Sequence, residues 1–321
     1  MKIATSIIAA LFLAASATAV MPDDPLKIDT CTKPGVVALT FDDGPGAYND
    51  QLLALLAKKN VKATFFLLGS MIAENAQQAA SLKKILAGNH QLASHTYSHG
   101  NLDAMTEEAQ RLEISKTSDI MFQHSGVRPA YMRAPEGRCG APCTKVMESL
   151  GLVVSHWNVD TNDWRFKALA PAAATEKSME EINKVIIQDS NPATDSFILL
   201  EHEIHKFSVD LLAERVIDAV IAKGYKFVTM EECVGKPAYL TGSVVPPVVP
   251  PTTNTTVPVV PPTSSSVAPS AGVTTGAPQK TSSGPIVPSI TTGNKGANSA
   301  GLVRAGAWAM GVAAAVGFAM L

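Results

Sequence analysis

The chain has 321 residues and a formal net charge of −2, and 46% of its residues are hydrophobic but only 6% are aromatic. All 28 acidic residues precede Cys233, so residues 20–240, which hold 22 of the 26 Lys and Arg, carry a net charge of −6. This acidic balance excludes the basic surface with which proteins bind nucleic acid, and the length suits one domain with a sizeable core.

Residues 1–19 predict a secretory signal peptide. The segment has one lysine, an apolar stretch and the sequence Ala17-Thr18-Ala19, which is typical of a cleavage site, and it is too short to span a membrane. An uncleaved anchor is the alternative. We therefore expect the chain to enter the secretory pathway and the folded domain to begin at residue 20.

Residues 20–240 predict a domain of alternating strands and helices. Short apolar runs bounded by turn residues indicate strands, and longer runs with apolar residues at helical spacing indicate helices. The predicted strands are 36–41, 63–68, 91–94, 130–133, 153–156, 197–200 and 226–229. The predicted helices are 51–59, 70–87, 106–124, 179–188 and 209–223, with Thr106 expected to begin a loose capping box. This alternation favours an α/β fold, and we expect a distorted (β/α) barrel of about seven strands with its active site at the C-terminal strand ends.

The first predicted strand ends in two adjacent carboxylates, Asp42 and Asp43, followed by Gly44 and Pro45. Both carboxylates can hardly face an apolar core, so a strand end is expected to expose them to a cleft. There one can bind a metal ion while the other accepts a proton. Taken alone, Asp-Asp-Gly-Pro is also an ordinary turn.

His95 and His99 follow the third predicted strand at a spacing of four residues. This spacing suits two imidazoles on one ion if the segment is helical or tightly turned. Together with a strand-end carboxylate, the pair predicts an open zinc site of one Asp and two His. Three protein ligands would leave one position for water and a substrate oxygen.

The four cysteines, Cys31, Cys139, Cys143 and Cys233, favour two disulfides in a secreted protein, and three connectivities are open. Pairing the outer two would staple the ends of the domain, and the inner two are close enough to close a local loop. A C-x3-C zinc site is the alternative for the inner two.

The segments Thr40-Phe41-Asp42-Asp43-Gly44-Pro45 and His95-Thr96-Tyr97-Ser98-His99 together resemble the polysaccharide deacetylase family, carbohydrate esterase family four. The resemblance spans residues 36–229. It implies that Asp42 is the general base for the attacking water. It also implies that Asp43, His95 and His99 hold a divalent metal ion, usually Zn²⁺ and sometimes Co²⁺.

Two further segments are similar to family motifs. Arg133-Ala134-Pro135 resembles the R-x-P motif, whose guanidinium would orient Asp42 and favour its charged form. The backbone N–H of Glu136 would serve the oxyanion, although the family commonly has an aromatic residue at this position. The cysteines also match the disulfides of fungal relatives, which pair Cys31 with Cys233 and Cys139 with Cys143.

The last two motifs supply the general acid and the substrate pocket. Asp160-Thr161-Asn162-Asp163-Trp164 resembles the D-x-x-D-W motif, in which Asp163 would orient and tune the catalytic histidine and Trp164 would wall the acetyl pocket. In the fifth motif, Leu200 would line that pocket and His202 would be the general acid for the leaving amine. Glu203 stands where the family usually has aspartate.

The resemblance implies metal-dependent removal of N-acetyl groups from N-acetylglucosamine in chitin, giving chitosan and acetate at a fungal cell wall or surface. Two alternatives remain open: deacetylation of xylan or peptidoglycan, and a non-catalytic carbohydrate-binding protein anchored in the wall. Neither the G-x-S-x-G nor the H-E-x-x-H motif is present, which argues against serine and zincin hydrolases. The protein is expected to be monomeric.

The C-terminal part predicts a stalk and a lipid anchor. Residues 241–298 are rich in Pro, Ser and Thr and contain the sequon at Asn254, which favours an extended, glycosylated stalk. Small residues and then an apolar tail follow, which is typical of a glycosylphosphatidylinositol (GPI) signal. We expect attachment at Asn298, with Gly296 and Asn294 as alternatives, removal of 299–321, and anchoring to the outer face of the plasma membrane. A single-span tail anchor is the alternative.

Overall fold

The computed structural model describes residues 27–243. The predicted signal peptide, the stalk with Asn254, and the anchor segment with Asn298 lie outside this range. The strands are β1 (Lys27–Ile28), β2 (Val36–Gly44), β3 (Thr64–Leu67), β4 (Gln91–Ser94), β5 (Tyr131–Met132), β6 (Val153–Ser155), β7 (Val159–Asp160), β8 (Phe197–His202) and β9 (Lys226–Val228).

The sheet is parallel throughout. Its strands follow the order β1-β6-β5-β4-β3-β2-β8-β7, and β9 pairs with the first part of β2. This path through the described strands ends at β1 and β7, so the sheet forms a half-barrel. The predicted α/β barrel class and all seven predicted strands are confirmed. The sequence reading missed β1 and β7, which have two residues each.

The helices are α1 (Asn49–Lys59), α2 (Gly69–Glu74), α3 (Ala76–Ala87), α4 (Glu107–Ser125), α5 (Ala141–Ser149), α6 (Asp163–Phe166), α7 (Pro171–Ile182), α8 (Ala213–Lys223) and α9 (Met230–Val234). π-helical turns follow α7 (Asn183–Gln188) and precede α8 (Ser208–Leu212). Single 3-10 turns occur at Leu102–Ala104 and Pro135–Gly137.

Three helix predictions need correction. The helix predicted over 70–87 is divided at Asn75, whose side chain accepts hydrogen bonds from the backbone of Gln77 and Gln78 and so begins α3. The helix predicted over 179–188 begins at Pro171, which suits the first helical turn. Thr106 caps α4 through Ala109 N–H, but a reciprocal capping box forms at Thr229 and Glu232 instead.

Side-chain alternation along the strands divides the core in two. In β2, Val37, Leu39 and Phe41 belong to the large cluster that the helices cover, whereas Ala38 belongs to the second cluster with residues from β3, β4, β5 and β8. Because strand residues alternate between faces, Asp42 continues the row of Ala38 on the second face. The strand pattern therefore directs Asp42 away from the large core cluster.

Disulfides join Cys31 to Cys233 and Cys139 to Cys143, as predicted. The zinc alternative for Cys139 and Cys143 is therefore wrong. The first disulfide ties the segment after β1 to α9, and the second closes a turn into α5. Within residues 27–243, no helix combines the length and apolar character that a membrane crossing requires.

Candidate active site

The polar motifs converge at the C-terminal ends of the strands. Asp42 and His202 are register partners on the adjacent strands β2 and β8. His95 follows β4 directly, Arg133 follows β5, and Asp163 lies shortly after β7. Five strands thus carry these polar residues at or just beyond their C-terminal ends, which is where the active site was expected.

Asp43, His95 and His99 offer one ligand atom each within 4.8 Å of one another. Asp43 Oδ1 lies 3.4 Å from His95 Nε2 and 3.2 Å from His99 Nε2. The histidine segment is a tight turn and not a helix, because Thr96 and His99 have left-handed φ angles of 68° and 60°. The turn brings the two imidazole rings to a centroid separation of 5.1 Å.

This group fits a divalent cation. Asp43 Oδ1 is buried and accepts no hydrogen bond of good geometry, which is costly unless a positive ligand is bound. Burial opposes ionisation, yet the imidazoles of His95 and His99 hold the pKa of Asp43 well below its usual range. His95 Nδ1 lies 2.9 Å from the Arg133 carbonyl, an arrangement that makes Nδ1 the donor and leaves the Nε2 lone pair for a metal ion.

Arg133, directly after β5, is fully buried and connects Asp42 and Thr40 of β2 to the end of β6. Its Nη1 donates to Asp42 Oδ1 at 2.8 Å and to Thr40 Oγ1 at 2.7 Å. Its Nη2 donates to Ser155 Oγ at 3.3 Å and to the His156 carbonyl at 3.0 Å. The guanidinium therefore fixes Oδ1 of Asp42, whereas Asp42 Oδ2 lies on the metal side, 3.8 Å from His95 Nε2.

Asp163 binds both the imidazole and the backbone of His202. Its Oδ1 lies 2.7 Å from His202 Nδ1, and its Oδ2 accepts bonds from His202 N–H at 2.8 Å and Ser208 Oγ at 2.7 Å. Burial alone would lower the pKa of His202, but the carboxylates of Asp163, Asp42 and Asp43 raise it to about 9. Burial disfavours the charged form of Asp163, but the bonds from His202 and Ser208 keep its pKa below the usual range.

The remaining predicted positions lie around these groups. Leu200 alternates with Leu199, which belongs to the helix-covered cluster, so it shares a face with His202. Trp164 is 46% exposed, and its Nε1 donates to Asp160 Oδ2 at 3.3 Å. Glu136 has a left-handed φ of 54°, and its exposed side chain pairs with Arg138 at 2.7 Å, so the carboxylate points to another cation and leaves only the backbone for a site role.

Glu203, at the position where the family usually has aspartate, lies fully buried against the loop at Gly44 and Gly46. Asn49 Nδ2 donates to its Oε2 at 2.8 Å, and Oε1 has no hydrogen-bond partner. Burial raises the pKa of Glu203 to about 7, although the bonds from Asn49 and the Gly46 backbone oppose this shift. A Cβ at Gly44 would lie 1.6 Å from Glu203 Oε1, so only glycine fits there.

Sequence reasoning missed the hydroxyl groups that support the charged residues. Thr40 and Ser155 bind Arg133, and Ser208 binds Asp163. Thr40 could have been found, since it shares a strand face with Asp42 two residues on. Ser155 and Ser208 come from distant segments, and no local pattern in the sequence marks them.

Backbone conformation also singles out this region. Seven non-glycine residues within 27–243 have a positive φ, and five of them lie in the site segments: Asp43, Thr96, His99, Glu136 and Asn162. Such conformations are sparsely populated and persist where the surrounding structure over-determines them, which is common at functional sites.

Known proteins with similar sequences and structures belong to the family that the motifs resemble. Residues 29–155 match the family model described as polysaccharide deacetylase. A chitin deacetylase of Colletotrichum lindemuthianum is 34% identical over 207 residues, which cover 64% of this chain and 82% of that protein. Its solved structure has a TM-score of 0.63 and 32% identity, and the match covers 66% of this chain and 92% of that one.

A bacterial protein is similar at the same level. A peptidoglycan-N-acetylglucosamine deacetylase of Listeria monocytogenes is 34% identical over 201 residues, or 62% of this chain. This match covers only 39% of the bacterial protein's length.

Proposed function

The chain belongs to the polysaccharide deacetylase family, and we propose that it removes the N-acetyl groups of N-acetylglucosamine residues in chitin, giving chitosan and acetate. One observation carries this proposal. Asp42 and His202, held by Arg133 and Asp163, are register partners on two neighbouring strands beside the Asp43–His95–His99 group. A base and an acid next to a cation site suit hydrolysis of an amide.

Asp42 acts as the general base in this proposal. Arg133 occupies its Oδ1 and keeps the side chain in one orientation. Oδ2 then faces the side of the metal ligands, where it can take a proton from the attacking water. The left-handed backbone at Asp43 lets two successive residues serve the same cleft, one as base and one as ligand.

His202 acts as the general acid. Asp163 binds Nδ1, so Nε2 is the nitrogen that can donate to the leaving amine. A pKa of about 9 keeps the imidazole protonated at neutral pH. The proton passes to the amine nitrogen as the C–N bond breaks, and acetate leaves.

The oxyanion and the acetyl methyl group need partners as well. We assign the oxyanion to the backbone N–H of Glu136 and the acetyl pocket to Trp164 and Leu200. Asp43, His95 and His99 would hold a divalent cation, Zn²⁺ or Co²⁺, which supplies Lewis acidity toward the acetyl carbonyl.

Chitin is the favoured substrate because the match to this chain covers 82% of the length of the chitin deacetylase. The match covers only 39% of the length of the peptidoglycan deacetylase. Peptidoglycan remains the second candidate, since identity to the two relatives is the same. Both substrates carry the same N-acetylglucosamine unit, so the choice between them depends on contacts beyond that sugar.

Acetate release tests the proposal directly. The secreted full-length protein is incubated with chitin oligomers, peptidoglycan and acetylated xylan, each with and without a chelator. We expect acetate from chitin oligomers only, with loss on chelation, recovery with Zn²⁺ and no activity in Asp42→Asn. Activity that ignores the chelator or survives Asp42→Asn would refute the mechanism, and acetate from peptidoglycan or xylan alone would refute the substrate.

We also propose that the enzyme acts at the outer surface of the plasma membrane. A cleaved signal peptide (1–19), a stalk (241–298) glycosylated at Asn254, and a GPI anchor at Asn298 form this part of the proposal, supported by composition and by two disulfides. A phosphatidylinositol-specific phospholipase should release the protein from membranes. Retention after that treatment would favour a single-span tail.

A further inference from the structure

The segment between the two histidines of the metal group is held from two sides. On one side, the carbonyls of Thr96 and Tyr97 accept hydrogen bonds from the N–H groups of Gly69 and Ser70 at the start of α2, each at 3.0 Å. On the other side lies Glu113 of α4, fourteen residues beyond His99 in the sequence. None of the motifs includes Glu113.

Glu113 binds this segment with both carboxylate oxygens. Its Oε2 accepts the backbone N–H groups of Tyr97 at 2.9 Å and Ser98 at 2.8 Å. Its Oε1 accepts the Ser98 hydroxyl at 2.9 Å. Hydrogen bonds to an ionised carboxylate are about twice as strong as neutral ones, so three of them strongly restrain two consecutive residues.

The two histidines differ in how they are held. His95 is 2% exposed, and the Arg133 carbonyl binds its Nδ1. The side chain of His99 is 39% exposed, and its backbone has a left-handed φ of 60°. A non-glycine residue keeps such a conformation only where its surroundings impose it. The residues directly before His99 are those that Glu113 binds.

Packing fixes Glu113 relative to the segment. One turn beyond it on α4, Thr117 lies so close to α2 that a Cβ at Gly69 would come within 2.8 Å of Thr117 Oγ1 and 2.6 Å of Tyr97 Cδ2. Helix α4, the start of α2 and the histidine segment therefore form one tightly packed unit. A shift of the Glu113 carboxylate would be transmitted to Tyr97 and Ser98.

We propose that Glu113 is a positioning residue of the metal site, which places His99 for a divalent cation by fixing the backbone of Tyr97 and Ser98. This inference rests on the proposed function only for the cation site itself. It assigns Glu113 no contact with substrate or metal. Partners of this kind, which orient a metal ligand, typically change metal affinity by about 10- to 100-fold when they are removed.

The test compares three substitutions by zinc affinity. Zn²⁺ binding to the full-length protein is measured by competition with a chromophoric chelator. Glu113→Ala removes all three bonds and should weaken zinc binding by about 10- to 100-fold. Glu113→Gln keeps the reach of the side chain, because its oxygen can accept both N–H groups and its NH₂ can donate to Ser98 Oγ. It should retain most of the affinity.

Glu113→Asp distinguishes geometry from charge. It keeps the negative charge but shortens the side chain by one methylene, so it cannot reach both amides without moving α4. We expect zinc affinity in the order Gln, Asp, Ala, and the Co²⁺ absorption spectrum of Glu113→Ala should change. The reverse order, with Asp above Gln, would mean that charge alone matters and would overturn the inference.

Matched controls isolate the effect. Glu108→Ala removes an exposed carboxylate from the same helix and should leave zinc affinity unchanged. Saturating Zn²⁺ should restore most of the kcat of Glu113→Ala, and the thermal midpoint of its metal-free form measures any loss of folding. Wild-type zinc affinity in a folded Glu113→Ala would sink this inference and leave the deacetylase proposal intact. A wild-type protein that binds zinc tightly but releases no acetate would refute the deacetylase proposal and leave the inference about Glu113 intact.

Discussion

In the proposed mechanism, the Asp163–His202 pair sets the pH range over which the site can donate a proton to the leaving amine. His202 is largely buried, and burial alone would favour its neutral form. The Asp163 carboxylate, 2.7 Å from Nδ1, reverses that preference. An imidazolium with a pKa of about 9 is protonated throughout the neutral range. One with a pKa below the neutral range would be mostly deprotonated and could not serve as the proposed proton donor to the amine.

Substituting Asp163 tests this account at the level of one residue. In metal-free protein, NMR titration of His202 should give a pKa of about 9, and Asp163→Asn should lower it by roughly 2 units, since a paired charge shifts a pKa by about 1–3 units. The basic limb of the kcat–pH profile should therefore shift to lower pH. His90, whose pKa burial lowers to about 4, is the internal control and should not move.

The same shift has a consequence for stability. Because the pKa of His202 is higher in the folded protein than its ordinary value near 6.5, the pair stabilises the fold fully below about pH 6.5. That contribution is lost as pH rises through 9. If the pKa of His202 were unchanged in Asp163→Asn, the Asp163 carboxylate would not be the cause of the raised pKa.

At the scale of secondary elements, β2 and β8 present different residues on their two faces. On one face they place Asp42 and His202 at the site, and on the other β8 buries Glu201. Both carboxylate oxygens of Glu201 lack hydrogen-bond partners, and burial raises its pKa well above the usual value, with Asp163 adding to the effect. Burial therefore favours the neutral form of Glu201, whose carboxyl group has no hydrogen-bond partner in the core.

Replacing Glu201 should stabilise the protein. Glu201→Met removes an unsatisfied buried group and should raise the free energy of unfolding by about 1–3 kcal/mol in urea titrations. An acid with a raised folded pKa loses stability as pH rises above about 4.3, by up to about 1.4 kcal/mol per unit, so the gain should be larger at pH 7 than at pH 4. Glu203→Met, which leaves Asn49 Nδ2 without its acceptor, should destabilise instead. A gain that does not vary with pH would contradict this reading.

The loop after β2 depends on the absence of a side chain at one position. Gly44→Ala would force Glu203 away from the loop, at a cost of about 1–3 kcal/mol for overpacking, and would displace Asp43 with loss of activity. Thermal unfolding and acetate release measure the two effects. Glu203→Asp in the same protein should recover part of both, because the shorter carboxylate makes room. Gly46→Ala, whose Cβ would have contacts of 3.4 Å or more, should be tolerated.

In the molecule as a whole, the Cys31–Cys233 disulfide ties the segment after β1 to α9 across 202 residues, whereas Cys139–Cys143 spans four. A cross-link stabilises mainly by restricting the unfolded chain, so its effect grows with the length of the loop it closes. The long loop is worth about 5 kcal/mol on this scale and the short loop about 2 kcal/mol.

Removing each disulfide compares the two. Cys31→Ser/Cys233→Ser should lower the free energy of unfolding by clearly more than Cys139→Ser/Cys143→Ser in denaturant titrations under the same conditions. Equal losses would show that native-state contacts, and not restriction of the unfolded chain, dominate the effect. Zinc affinity should be unchanged in both, since neither disulfide contacts the metal ligands named above.

The seven main strands and the class of fold were predictable from the sequence. Its motifs also named Asp42, Asp43, His95 and His99, which the structure brings together at one end of the sheet. These features are local, because a short apolar run bounded by turn residues marks a strand, and a parallel sheet brings together the residues at its strand ends. Strands β1 and β7 were not predicted because each has only two residues, too few to show a pattern. The start of α7 was not predicted because the apolar spacing there is weak.

The contacts that hold these residues come from segments far apart in the sequence. Arg133 binds partners from β2 and from the segment that ends β6, and Glu113 reaches the histidine segment from the middle of α4. Glu201 within β8 has no hydrogen-bond partner, whereas Glu203, just beyond the end of β8, accepts a hydrogen bond from Asn49 of α1. Hydrogen-bond geometry and burial depend on which distant segments pack together, and no periodicity within a short window of sequence specifies that packing.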